Sequence, residues 1–223
     1  MAKKDKSDKT DELQNLTPTE SFFDKNKKVL LYSVIGLVVL FIGYFGYQQF
    51  VSKPHAAESQ DAYWNAFYDF QADDSTGVAI TGTETYMGFE EISTEYAGTP
   101  GGTIATYALG VSAMEKGEYD NALAYFEDCE FEDVMVGTLV VGLQGDCYVE
   151  LGQYEQAAEK FEEAALREAN EFTSPMFYKK AGLVYQELGQ NDKAIIAYQK
   201  IKDDWSESTE AKDIDKYIIR AQN

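Results

Sequence analysis

The sequence contains few of the residues on which most catalytic and metal sites depend. Its 223 residues include one histidine, His55, two cysteines, Cys129 and Cys147, and only 4 prolines. A serine–histidine triad, a histidine-rich zinc site or a multi-disulfide scaffold would have to be built almost without its defining residues. The sequence therefore predicts a protein that is not an enzyme and holds no cofactor or metal. The two cysteines are either packed thiols or a disulfide, and both alternatives stay open.

Positive charge is also scarce. The chain has 19 Lys and Arg against 39 Asp and Glu, a formal net charge of −20, which opposes binding to nucleic acid. Residues 1–28 hold seven of the basic and six of the acidic residues, and residues 29–50 hold none of either. The remaining residues, 51–223, keep 12 basic and 33 acidic residues, a net charge of −21. Partners of this acidic part should be proteins that offer apolar and basic surface.

One long stretch has no charge at all. Residues 29–50 would form a helix of about 33 Å at about 1.5 Å per residue, and a bilayer core is about 30 Å thick. A buried core helix would keep a polar face, and a cleaved signal peptide would have a shorter apolar run and a small-residue cleavage site. The sequence predicts an uncleaved anchor, with a juxtamembrane and transmembrane helix over residues 18–51 that begins at Pro18 after Thr17 as N-cap.

The flanking charges predict the direction in which this anchor crosses the membrane. Lys25, Lys27 and Lys28 precede the apolar stretch, whereas only Lys53 lies close after it. The positive-inside rule then places the N-terminus in the cytoplasm, with residues 1–17 as a disordered arm, and the acidic part outside the cytoplasm. A partner helix in the membrane would pack on the side of the anchor that carries small residues. The residues predicted for this contact are Gly36, Leu40 and Gly43.

Three segments of the acidic part match one another. Each has a glycine followed five residues later by alanine, and the glycines, Gly117, Gly152 and Gly189, lie 35 and 37 residues apart. A helical apolar pattern precedes and follows each glycine. Glycine can end one helix in a left-handed cap, and alanine lets the next helix cross it closely. The sequence predicts three helical hairpins.

This pattern resembles the tetratricopeptide repeat, a helix–turn–helix unit of 34 residues. On that template the small eighth position is Gly110, Gly145 and Gly182, and the twenty-fourth position is Phe126, Phe161 and Tyr198. The predicted fold is all-α: a single N-terminal transmembrane helix, then a tetratricopeptide-like α-solenoid with a C-terminal capping helix. The predicted segments are a degenerate hairpin at 56–102, repeats at 103–136, 138–171 and 175–208, and a capping helix at 209–223. The degenerate hairpin should pair helices near Ala56–Gln71 and Thr83–Tyr96, preceded by His55 in a solvated linker.

In that repeat architecture the first helices line a concave surface, which here would be an apolar floor with acidic edges. Such a surface suits a partner segment with apolar anchors and some positive charge. The alternative is that several of these side chains pack within the domain. The residues predicted for partner binding are Ile104, Tyr107, Val111, Met114, Leu139, Asp146, Val149, Met176, Lys179 and Leu183.

The order of arm, anchor, acidic repeat domain and capping helix resembles the YfgM-like ancillary SecYEG translocon subunit family. The stretch Gly88–Ile92, followed by Glu95–Thr99, is similar to versions from the Bacteroidota. The resemblance implies a single-pass protein of the bacterial inner membrane with its repeat domain in the periplasm. It also implies two partners, the SecYEG channel and a membrane-anchored prolyl-isomerase-like chaperone, and a role in passing exported polypeptides to chaperones. The alternative is a periplasmic scaffold for envelope assembly or cell division that does not depend on the channel.

Overall fold

The computed structural model describes residues 18–71, 77–131 and 133–223, so the predicted arm and the Thr17 cap lie outside the described residues. The chain divides into two compact units between Pro54 and His55. Every regular element of the described residues is a helix, and the one extended pairing among them is an isolated bridge between Gly82 and Met87. The predicted all-α class is confirmed.

The first unit consists of helix α1, Pro18–Tyr47, and a π-helical turn, Gln48–Ser52. The described part of helix α1 starts at Pro18. Proline suits a first helical turn because the backbone N–H groups of that turn have no partner within the helix, and proline has no N–H. Most of the described apolar side chains between Val29 and Tyr47 are exposed: Leu40, for example, keeps 71% of its surface. Within the described part of the chain, one helical run, Lys25–Tyr68, is long and apolar enough to cross a membrane, and none of its apolar window is buried.

Helix α2, Lys53–Gln71, corrects the prediction of a solvated linker at His55. Pro54 has no N–H, so one α-helical hydrogen bond is missing at this point. A π-helical turn just before the proline accommodates the missing bond while the helix continues. His55 lies within α2 and is half-buried. Its ring packs on Tyr96, with 5.0 Å between the ring centroids.

Two short helices follow α2: α3, Val78–Thr81, and α4, Phe89–Glu95. The predicted helix from Thr83 to Tyr96 is therefore wrong in its first half. The Thr83 hydroxyl accepts hydrogen bonds from the backbone N–H groups of Thr85 and Tyr86, at 3.2 and 3.3 Å. Such bonds from a side chain to the nearby backbone compete with helix formation.

Close backbone contact also keeps this segment out of a helix. Gly82 has a left-handed φ of 79°, and a Cβ added there would meet the backbone of Gly88. Only glycine tolerates both this conformation and this approach. The chain therefore turns between the two glycines before α4 begins at Phe89, and Phe89 and Ile92 become the buried side chains of α4.

Three helical hairpins make up most of the second unit, and neighbouring helices along the chain pack on one another. In each hairpin a first helix of 15–17 residues is followed by a second helix of 9 or 14 residues. The helices are α5, Pro100–Glu115; α6, Tyr119–Glu127; α7, Val134–Glu150; α8, Tyr154–Arg167; α9, Thr173–Glu187; and α10, Asn191–Asp204.

The predicted glycine turns close all three hairpins. Gly117, Gly152 and Gly189 have φ values of 74°, 71° and 68°, the left-handed conformation that favours glycine. After Gly152, for example, the N–H of Gln153 donates to the carbonyl of Tyr148 at 2.8 Å. This bond belongs to the Schellman motif, which satisfies carbonyl groups that the end of a helix leaves without partners.

Within each hairpin the small eighth position lies against the aromatic ring of the second helix. A Cβ added to Gly145 would lie 2.6 Å from Cε1 of Phe161, and Gly110 has the same relation to Phe126. In the third hairpin a Cβ on Gly182 would overlap the ring of the tyrosine at the equivalent position. The missing side chain thus creates the space that the ring fills, which explains why the two positions recur together.

The chain ends in a 3-10 turn, Glu210–Asp213, and helix α11, Ile214–Gln222. Ile214 and Ile218 are buried in the same apolar cluster as the third hairpin. The last helix therefore covers the apolar face that the third hairpin would otherwise expose, as the sequence predicted for a capping helix.

Candidate partner-binding surface

The ten residues predicted for partner binding lie on the three first helices, but they differ in exposure. Leu139 and Leu183 are exposed, at 41% and 40% of their surface. The other eight are half-buried. They are Ile104, Tyr107, Val111, Met114, Asp146, Val149, Met176 and Lys179.

On α5 the predicted residues take part in packing within the domain. The ring of Tyr107 lies 6.0 Å from the rings of both Phe126 and Phe131. Val111 and Met114 pack against the apolar cluster that contains Phe126. Their half-buried state agrees with the alternative that the sequence left open, in which part of the apolar floor is internal.

Asp146 is held in an ion pair across two repeats. Nζ of Lys180 lies 2.7 Å from both carboxylate oxygens of Asp146. The same ammonium lies 5.3 Å from the ring centre of Phe161 and 5.9 Å from that of Phe177. The sequence did not predict this pairing. The two residues lie 34 positions apart, one repeat length, and that spacing is the signal that could have revealed it.

Lys179 pairs with the capping segment in the same way. Its Nζ lies 3.1 Å from a carboxylate oxygen of Asp213 and 4.6 Å from the ring centre of Tyr217. Burial alone would lower the pKa of Lys179, but the hydrogen bond to Asp213 and the interaction with Tyr217 outweigh it and hold the pKa above its usual value. A partner that used Lys179 would have to compete with this contact.

The exposed apolar surface of α7 is wider than the sequence predicted. Met135 lies four residues before Leu139, so the two share one side of the helix, and Met135 keeps 52% of its surface. In the turn before α9, Phe172 keeps 76%. The spacing of Met135 and Leu139 could have been found from the sequence, whereas the exposure of Phe172 depends on the shape of the turn. These exposed side chains extend the candidate surface beyond the residues that the sequence predicted.

Acidic side chains stand at the C-terminal ends of the first helices. Glu115, Glu150 and Glu187 are all exposed and occupy the same repeat position. Carboxylates at this end of a helix are disfavoured by the helix dipole. Together with Leu139 and Leu183 they give a surface that is apolar along the helices and negative at the end.

The two cysteines are free thiols in this structure. Burial, with a contribution from Asp128, raises the pKa of Cys129 to about 12. Burial, with contributions from Asp146 and Glu150, raises the pKa of Cys147 to about 11. Both are therefore protonated near neutral pH and are poor nucleophiles. Within residues 18–71, 77–131 and 133–223, no three His, Cys, Asp or Glu side chains are grouped to hold a metal ion.

A family model described as a tetratricopeptide repeat-like domain matches residues 20–218. The chain belongs to this tetratricopeptide repeat-like family. No curated protein matches the chain. Domains of this kind typically serve as protein-interaction modules, because stacked helical pairs provide extended surfaces for partners.

Proposed function

We propose that the protein is a membrane-anchored scaffold that binds partner proteins, and that it serves as an ancillary subunit of the SecYEG secretion channel in the bacterial inner membrane. In this proposal the N-terminus is cytoplasmic and the repeat domain lies in the periplasm. The repeat domain binds a membrane-anchored prolyl-isomerase-like chaperone and helps to pass exported polypeptides to chaperones.

One chain combines an exposed apolar helix with a tetratricopeptide repeat-like domain, and this combination is the main support for a membrane-anchored scaffold. None of the apolar window of the run Lys25–Tyr68 is buried, and cover by lipid or by another membrane helix would remove this apolar surface from water. The charge asymmetry between Lys25, Lys27 and Lys28 on one side and Lys53 on the other supports the orientation. The proposed link to the channel rests on the resemblance of the whole arrangement to the ancillary subunit family.

The side of α1 proposed to meet the channel has room for a neighbour. A Cβ added to Gly36 or Gly43 would meet no atom within 4 Å, and Leu40 between them is exposed. At about 100° per residue, Val38 lies on the opposite side of the helix. Val38 therefore serves as a matched control for a contact made through Leu40.

The proposal is tested by placing a photoreactive amino acid at Leu40 or at Val38 of the full chain in native membranes. We expect an adduct with a channel subunit from Leu40 and much less from Val38, because only one side of α1 would face the channel. Equal adducts from both sides, or none with any channel subunit, would contradict the link to the channel.

A second experiment separates this function from a scaffold for envelope assembly or cell division. The segment from Val29 to Phe50 is replaced by an unrelated membrane helix of the same length. A channel-associated subunit should lose its association with the channel, whereas a scaffold that uses the helix only as a tether should keep its activity. Retained association with the channel after the exchange would show that the repeat domain, rather than the anchor, makes the contact.

A further inference from the structure

Helix α2 has an uncovered side at the start of the second unit. Its inner side faces the domain, where Ser59 is fully buried and its hydroxyl accepts a hydrogen bond from the N–H of Gly101 at 3.2 Å. At about 100° per residue, a second set of side chains points the opposite way. This set forms the α2 face and consists of Glu58, Asp61, Trp64 and Tyr68.

Two large aromatic side chains lie in the α2 face. Trp64 keeps 49% of its surface and Tyr68 keeps 66%. Among the described residues, the ring contacts of Trp64 are made within α2 itself, for example with Phe67 at 5.4 Å between the ring centroids. The end helix of a helical repeat domain needs a polar outer face for solubility, and these two rings interrupt it. Burial of the rings against a neighbour would be favourable.

The charge around the α2 face is negative only. From His55 to Glu115 the sequence has no Lys or Arg and ten Asp and Glu. Glu58 and Asp61 are both exposed, and neither makes an ion pair with the residues that the structure describes. An acidic neighbour would be repelled, so the charge favours a neighbour that brings Lys or Arg together with an apolar side chain.

The opposite end of the same unit presents such a surface. Helix α11 turns the buried Ile214 toward the third hairpin. The other side of this helix is exposed and includes an apolar side chain, Ile219, which keeps 59% of its surface. At spacings of three and four residues this side forms the α11 face, which consists of Lys216, Ile219 and Arg220.

The α11 face keeps its positive charge. Asp215, the one acidic residue of α11, is paired with Lys202 of α10 at 2.7 Å. Lys216 and Arg220 make no ion pair within the described part of the chain. The guanidinium of Arg220 lies 5.7 Å from the ring centre of Tyr217 and remains exposed. The face therefore offers two cations beside an apolar side chain.

One chain cannot bring its own two faces together. Helix α2 packs on α4, where the rings of Tyr63 and Phe89 lie 5.8 Å apart, and α11 packs on α10. Three hairpins lie between these ends along the row of packed helices. The matching surface for each face is therefore found on a second copy of the chain.

We propose that copies of this protein associate end to end, with the α2 face of one copy covered by the α11 face of the next. Lys216 and Arg220 then lie near Glu58 and Asp61, and the Arg220 guanidinium can stack on the Trp64 ring. Each copy keeps one free face of each kind, so the contact is heterologous and can extend into a row. It does not depend on the proposed link to the secretion channel, and either can fail alone.

The size of the α11 face indicates a weak contact between free molecules. Helix α11 has nine residues and is about 14 Å long, so the interface falls at the small end of specific interfaces. Attachment of both copies to one membrane would raise their effective concentration, as a linker does for two binding modules. The association should therefore be measured in membranes with the full chain.

The test uses two differently tagged versions of the full chain in the same native membranes. One version carries Asn65→Cys beside the α2 face, and the other carries Gln222→Cys beside the α11 face; both positions are exposed. A short bismaleimide should join the two versions to each other, with little adduct between copies of the same version. Cys129 is half-buried and Cys147 is buried, and the wild-type chain measures their background.

A charge exchange shows whether the two faces meet. Asp61→Lys in the first version, or Arg220→Glu in the second, should lower the yield of the mixed adduct about threefold, because an attraction at an exposed contact becomes a repulsion. The two changes together should restore the yield. Lys116→Glu makes the same change of charge at an exposed lysine outside both faces and should have no effect.

A second pair of variants tests the aromatic part of the contact. Trp64→Ala in the first version should also lower the yield of the mixed adduct, because it removes the ring on which Arg220 would stack. Phe172→Ala is the matched control, since Phe172 keeps 76% of its surface but lies outside both faces. Equal yields from these two variants would contradict a role for Trp64.

Three further results would overturn end-to-end association. The first is a mixed adduct no stronger than the wild-type background. The second is an equal yield of mixed and like adducts, which would indicate random encounters or contact between two α2 faces. The third is an adduct of the Asn65→Cys version mainly with a different protein, which would show that another partner covers the α2 face.

Discussion

Replacing Gly145 with alanine tests the packing rule that holds the hairpins together. The new Cβ would lie 2.6 Å from Cε1 of Phe161, well inside an ordinary carbon–carbon contact of about 3.5–4.0 Å. Phe161 is 1% exposed and stacks on Phe177 with 6.3 Å between the ring centres, so it has little room to move. The backbone or the ring must shift.

Two effects of opposite sign determine how much Gly145→Ala changes the free energy of unfolding. Overpacking a filled core costs about 1–3 kcal/mol, and alanine in place of glycine within a helix stabilises by about 0.8–1.0 kcal/mol. The steric cost is larger because the contact is with a buried ring. We therefore expect Gly145→Ala to lower the free energy of unfolding by about 1–2 kcal/mol.

Gly137 in the same helix is the matched control. A Cβ there would lie 3.3 Å from Nη2 of Arg167, the flexible end of an exposed side chain that can move aside. Gly137→Ala should therefore leave stability unchanged or raise it by up to about 1 kcal/mol. Urea unfolding of the full chain in detergent, followed by circular dichroism, measures both. If Gly145→Ala is as stable as Gly137→Ala, the proposed fit between glycine and ring is wrong.

Lys180→Met should lower the free energy of unfolding by about 0.5–1 kcal/mol, because it removes the partly exposed ion pair with Asp146 but keeps an aliphatic chain over Phe161. The difference from the wild type should shrink in about 1 M NaCl, and a difference independent of salt would contradict an ionic origin. Burial and the nearby Tyr217 raise the pKa of the Tyr198 hydroxyl. As the pH rises, the unfolded chain therefore loses the hydroxyl proton before the folded chain does. The stability that the protonated hydroxyl contributes is then lost as the pH rises above about 10. Tyr198→Phe should therefore make stability fall less steeply between about pH 9 and 11, by at most about 1.4 kcal/mol per pH unit, and an unchanged slope in urea unfolding would refute this assignment.

The three hairpins could be predicted from the sequence because each hairpin depends on a few residues that lie close together in the chain. A glycine such as Gly152 is needed where φ is positive, and the eighth-position glycine is needed where the ring of the second helix crosses. The same rules failed between Thr83 and Gly88. There a threonine hydroxyl binds the backbone and two glycines approach each other closely, and neither feature changes the apolar spacing that indicated a helix.

The exposure of the candidate surface was harder to predict because it depends on how neighbouring hairpins are placed. The repeat template put both Tyr107 and Leu139 on the concave face, yet Tyr107 packs on two phenylalanines while Leu139 stays exposed. A cleft of about 940 Å³ beside the C-terminal end of α6, with Gln144 and Arg167 in its lining, was not predicted at all. It arises because α6 ends at Glu127, and the apolar pattern does not indicate how early that helix stops.

In the proposed function, the exposed apolar residues of the first helices bind a partner protein while the chain is held at the membrane. Photoreactive amino acids at Leu139 and at Leu183 of the full chain in native membranes test it most directly. Ile196, which is 62% exposed on the second helix α10, is the control for an apolar side chain of similar size. We expect an adduct with the same partner protein from Leu139 and Leu183 and none from Ile196. Adducts of equal yield from all three positions, or adducts from Ile196 alone, would contradict it.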